Sequence, residues 1–88
     1  MHFEVEEQLS LKELSEEYIM MRLRLSDGLS LSEFQRKFGE PIDPKYIERM
    51  NPFLKSGHIK NKEDRYYFTA DGMYVSNYIL SDVLDLNA

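Results

Sequence analysis

Cysteine is absent from the 88 residues, and histidine occurs only as His2 and His58. The first absence excludes disulfides, thiolate metal sites and cysteine nucleophiles. The second leaves almost no material for a histidine metal centre. Nor is there a glycine-rich phosphate loop, a nucleophile in a recognisable turn or an acid–base pair. Glu16 beside Glu17, and Asp82 near Asp85, read as solvated faces rather than carboxylate dyads. No catalytic, cofactor-binding or metal-ligating residue is therefore assigned. No apolar run approaches the roughly 18 residues that cross a bilayer, and the sequence opens on Glu4, Glu6 and Glu7 in place of a basic and then apolar leader. The expectation is a soluble, cytoplasmic protein with no membrane span.

What is present fits one domain, near the lower size limit for burying an adequate core without staples. The formal net charge is −5. Residues 1–17 carry six acids and one base, whereas residues 18–80 carry ten bases and eight acids. The chain divides into an acidic lead-in over 1–9 and a folded domain over 10–88, with no repeats and no low-complexity tract.

Helix starts and stops are written in cap chemistry. Ser10-Leu-Lys-Glu13 and Ser30-Leu-Ser-Glu33 have the spacing of capping boxes, and Asp43-Pro44 pairs an N-cap with proline at the first helical position. Gly28, Gly39 and Gly57 stand where a left-handed residue ends a helix. The spacing predicts helices over 11–26, 31–38 and 44–56. Between Ile59 and Phe68 a polar centre, Asn61 to Asp64, separates β-favouring ends, as in a short hairpin. Thr69 then caps a last helix, with Val75, Ile79, Val83 and Leu86 on one stripe, widened by Met73, Leu80 and Leu84. The fold expected is mostly α and winged-helix-like: three helices, a β-hairpin and a C-terminal helix.

The first helix has too much apolar surface for one stripe. Leu11, Leu14, Tyr18, Met21 and Leu25 fall on one face and read as core. Ile19, Met20 and Leu23 point elsewhere, either because the domain wraps this helix on two sides or because a partner covers the second face. Arg22, four residues from Tyr18, suits an inward ion pair or a carboxylate of another segment. Arg24 lies on the side of Glu13 and Glu17, as for a surface ion pair.

A winged helix raises the question of DNA. Lys45, Arg49, Lys55, Lys60, Lys62 and Arg65 are offset by Glu48, Glu63 and Asp64, Pro52 interrupts the third helix, and the net charge opposes approach to phosphates. A free-standing nucleic-acid binder is the alternative to the reading that follows. Tyr66, Tyr67, Tyr74 and Tyr78 read as core or rim rather than as a stacking platform. His58, just after a helix end, favours the dipole there over a role as a metal ligand.

Two stretches carry a family resemblance. EEYIMMRLRLSDGLSLSEFQRKFG, Glu16 to Gly39, is similar to the segment that opens the C-terminal domain of the oxygen-independent coproporphyrinogen III oxidase family. YYFTADGMYVSNYIL, Tyr66 to Leu80, resembles that domain's closing signature, with Phe68 where leucine is usual; Arg22 stands where a small residue is frequent. Gly28, Phe38, Gly39, Thr69, Gly72, Ser76 and Asn77 are the structural positions of the likeness. It implies a radical S-adenosylmethionine parent whose catalytic barrel, with a 4Fe–4S cluster on a three-cysteine motif, lies N-terminal to this domain. It also implies porphyrinogen or haem as the parent's substrate or cargo, and leaves oxidase and haem chaperone both open. On that view Ile19, Met20, Arg22, Leu23 and Arg24 are the candidates for the interface with the barrel, and nucleic acid is not a partner.

Overall fold

The computed structural model describes residues 10–85. Helix α1, Leu11–Leu23, begins at Ser10, whose hydroxyl accepts from the Glu13 amide while the Glu13 carboxylate accepts from the Ser10 amide. That reciprocal bonding satisfies two first-turn donors. The helix stops three residues short of the expected end. Arg24 and Leu25 donate to Met21 and Arg22 in tight i−3 turns, and the chain then swings through Gly28 into a two-residue strand, β1, Leu29–Ser30. Helix α2, Leu31–Phe38, and helix α3, Pro44–Ser56, match the expected spans, with Ser30 and Asp43 as N-caps. Strands β2, Ile59–Lys62, and β3, Arg65–Phe68, form the hairpin.

The last helix is two. Helix α4, Ala70–Tyr74, and helix α5, Ser76–Val83, meet at Val75, whose backbone leaves the helical region. Val75, Ser76 and Asn77 are all modest helix formers, so continuing straight is weakly favoured there. The architecture is mostly α with a small antiparallel sheet. Its strand order is β1-β3-β2, with Leu29 opposite Tyr66 and Ile59 opposite Phe68. β1 was not visible in the sequence, because two residues carry no period.

Pro52 does not interrupt α3, which runs through it to Ser56. The missing N–H of proline leaves the Glu48 carbonyl without its helical donor, at a position where both residues are exposed to solvent. One core gathers Ile19, Leu23, Leu29, Phe34, Ile42, Tyr46, Met50, Ile59, Phe68, Ile79, Leu80, Val83 and Leu84. Val83 and Ile79 face it as expected and Met73 does not; Leu86 and the lead-in over 1–9 lie outside the described residues.

Candidate docking surfaces

The two apolar faces of α1 are reversed relative to expectation. Ile19 and Leu23 are 0% and 1% exposed, enclosed by their own chain, and Met20 packs partly buried against the same core. Leu11, Leu14, Met21 and Leu25 are the outward residues, each between 42% and 58% exposed. Ile19 and Leu23 are thereby corrected from interface candidates to core. Glu16 is the reason. It projects toward the same side as Ile19 and Leu23, and a carboxylate there suggests a solvent face. In the fold that carboxylate is only 12% exposed and accepts the Tyr46 hydroxyl at 2.6 Å, with Lys12 Nζ at 3.5 Å. A buried charge given a donor and a cation is tolerated. The Tyr46 hydroxyl is in turn pushed above its ordinary pKa, first by burial and then by its bond to Glu16.

Arg22 turns inward. Its Nε donates to the Gly28 carbonyl at 3.1 Å and its guanidinium lies 4.0 Å from Glu33, which also meets Arg65 at 3.7 Å. Arg24 does not pair along the helix with Glu13 or Glu17. Its Nη2 donates to Asn77 Oδ1 at 2.9 Å, fastening the end of α1 to α5. Of the five candidates, Arg24 alone is exposed.

The remaining motif positions lie at turns, helix ends and close contacts between elements. Gly28, at φ +75°, lies so close to β3 that a Cβ would stand 2.6 Å from the Tyr66 carbonyl oxygen. Phe38 stacks on Phe34 and Tyr18, with ring centroids 4.7 and 5.5 Å away, and Gly39 closes α2 in the left-handed region. Thr69 donates to the Gly57 carbonyl at 2.8 Å and accepts the Gly72 amide at 3.2 Å, so one hydroxyl joins the end of α3 to the start of α4. Gly72 is pressed on the His58 carbonyl. Ser76 opens α5 without a side-chain cap.

One hub escaped the sequence reading. Asp64, in the hairpin turn, accepts from the Ser30 hydroxyl at 2.9 Å, the Ser32 hydroxyl at 2.7 Å and the Ser32 amide at 3.1 Å. It thereby ties the turn to the start of α2. These bonds, the Ser32 hydroxyl foremost, hold its carboxyl down to about 2. Its partners are more than thirty positions away in sequence, so no local pattern signals them.

A second apolar face lies across α4 and α5. Tyr74 is 91% exposed and Tyr78 66%, with Met73 also outward. Tyr78 meets Phe53 edge to face at 6.5 Å, and the two line a groove of about 330 Å³ with Pro52, His58, Val75 and Ile79. His58 Nδ1 is 2.6 Å from the Ser56 hydroxyl.

The basic residues that a winged helix would turn toward phosphates are partly engaged at home. Arg49 donates to the Val83 carbonyl at 3.2 Å and lies 3.9 Å from Asp85, and Arg65 donates to the Asp27 carbonyl at 3.0 Å. Among the described residues no group of three or more His, Cys, Asp or Glu is placed to hold a metal ion, and no helix is long and apolar enough to cross a membrane.

Comparison with known proteins gives one result. A search of curated proteins and a search of solved structures return no match. The family model described as the HemN C-terminal domain matches residues 9–75, from just before α1 through Val75 at the end of α4. That span includes the capped α1, the Gly28 turn, Phe38-Gly39 and the Thr69–Gly72 junction, and the chain, an accessory domain of the kind HemN-like proteins carry at their C-terminus, belongs to the HemN C-terminal domain family.

Proposed function

We propose that this domain packs on and caps the radical S-adenosylmethionine barrel of a cytoplasmic protein of the oxygen-independent coproporphyrinogen III oxidase type, helping to shape and shield the porphyrinogen or haem site. The domain performs no chemistry itself. The cofactors implied by the family do not fit this chain, which has no cysteine and, among the described residues, no metal-holding cluster. S-Adenosylmethionine and the 4Fe–4S cluster belong to the barrel.

The observation that carries the reading is the α4–α5 face. Two tyrosines and a methionine stand in water beside an apolar groove, next to the side of α5 that supplies Ile79, Leu80 and Val83 to the core. Tyrosine and methionine are enriched at protein interfaces, where a ring covers much area for few rotors. Of the five residues first considered for the interface, Arg24 is exposed and bonded to this helix pair, and it stays in the proposal at the edge of the face. The outer face of α1 is left for another role.

The test is a calorimetric titration of the domain into a separately produced barrel of a HemN-like protein. Tyr74→Ala with Tyr78→Ala is expected to weaken binding at least about thirtyfold, the roughly 2 kcal/mol cost that marks a hot spot. Equal affinity for variant and parent would overturn the proposal. The order of elements favours a nucleic-acid reading as the alternative, and micromolar, salt-sensitive binding of random duplex would support it.

A further inference from the structure

The outer stripe of α1 has a period and a charge pattern that specify what covers it. Leu11, Leu14, Tyr18 and Met21 on α1, with Leu25 in the turn two residues past its end, recur at alternating steps of three and four. That is the 3.5-residue spacing of a coiled-coil seam, and it lies opposite the core-facing Ile19 and Leu23. The four aliphatic members are exposed, and Tyr18 is half-buried against Phe34 and Phe38, with Lys37 Nζ 5.7 Å from its ring. One flank of the seam carries Glu17 and, two turns on, Arg24, both exposed, with Glu13 beyond. The other flank carries Ser15 and Arg22, and Arg22 is committed to Gly28 and Glu33.

We infer that a second copy of this chain docks on this stripe, with the two α1 helices antiparallel. With Tyr18 opposite Met21 of the second copy, the two-fold axis repeats that layer, and Leu14 faces the turn that carries Leu25 just past the end of the other helix. In that register the like flanks meet, which sets Glu17 against Arg24 of the other copy twice over. The charges at the flanking positions are those that choose partner and orientation in coiled coils. A parallel pair would match Glu17 to Arg22, whose guanidinium is already held within its own domain. Asn77 takes one N–H of Arg24 and leaves the rest of the fork for a carboxylate. One short seam buries less than the roughly 800 Å² per partner of a standard interface, so a micromolar dimer is expected. Arg24, at the edge of the α4–α5 face, is shared with it; Tyr74 and Tyr78 play no part in the dimer.

Sedimentation equilibrium of the full chain tests this. The 10.5 kDa chain is expected to approach twice its mass across about 10 µM to 1 mM, the range of weak association. Met21→Glu should abolish association with the thermal midpoint and circular dichroism unchanged. Glu17→Arg should weaken it about tenfold, and Glu17→Arg with Arg24→Glu should restore it to within about threefold, since the pairs re-form with signs exchanged. A chain that stays monomeric at 1 mM overturns the inference while leaving barrel docking untouched. So does a dimer that survives Met21→Glu, or a charge exchange that restores nothing. Loss of barrel binding in the tyrosine variants' titration bears only on the other face.

Discussion

Replacing Gly72 by alanine separates a glycine chosen for flexibility from one chosen for close approach. In an exposed helix, Gly→Ala stabilises by about 1 kcal/mol. Here the added methyl group would collide with the His58 carbonyl oxygen, and stand 2.9 Å from its carbon and 3.2 Å from Phe68 Cδ1. Neither neighbour yields easily. The His58 carbonyl is backbone and already accepts the Thr69 amide at 3.0 Å, and Phe68 is buried. Relief requires α4 to lift from the start of β2, straining the Thr69 bonds to Gly57 and His58. Overpacking costs about 1–3 kcal/mol and a lost hydrogen bond about 1. Less the propensity gain, a net loss of about 2 kcal/mol remains. At about 4–8 °C per kcal/mol for a domain of this size, the thermal midpoint should fall by about 10 °C. Gly39→Ala is the control, since it lies at φ +80° with nothing within 4 Å of its Cβ and should lose only about 1 kcal/mol to backbone strain. Urea unfolding followed by circular dichroism reads both. A Gly72→Ala variant as stable as the parent, or more so, would refute the close-approach reasoning.

Tyr46→Phe should cost about 1–2 kcal/mol at pH 7 in the same assay, because it leaves the nearly buried Glu16 with Lys12 alone. The Tyr46 hydroxyl titrates above its ordinary value of 10 in the fold, so the stability it confers is complete below pH 10 and lost as pH rises further. The alkaline fall should be shallower in Tyr46→Phe, and parallel curves above pH 10 would contradict the assignment. Asp64 gives the opposite sign. Its carboxyl is held down to about 2 from an ordinary 3.8, so its stabilisation is present above about pH 4 and lost as pH falls toward 2. Urea midpoints of Asp64→Asn and the parent should therefore converge between pH 4 and pH 2, and a gap independent of pH would count against the hub.

The elements legible in the sequence were those written in local chemistry. Ser10, Ser30 and Asp43 mark three helix starts, Gly39 and Gly57 two of the stops, and all three N-cap side chains accept first-turn amides as their spacing implied. The break at Val75 and the strand Leu29–Ser30 were not legible, because both are set by what they pack against. The orientation of α1 failed for a sharper reason. Both its faces are apolar, and Glu16 argues for solvent until Tyr46, thirty residues on, supplies the donor that lets it go inside. The α4–α5 face shows the same limit. Tyr74 and Tyr78 are indistinguishable from core aromatics until the turn at Val75 aims them outward.

Hydrogen–deuterium exchange on this domain, alone and with the barrel of a HemN-like protein, tests the docking claim most directly. Docking through this face should slow exchange across residues 73–78 and leave the amides of α2 unchanged. Identical exchange over 73–78 in the two samples, at a barrel concentration that saturates the domain, would contradict it.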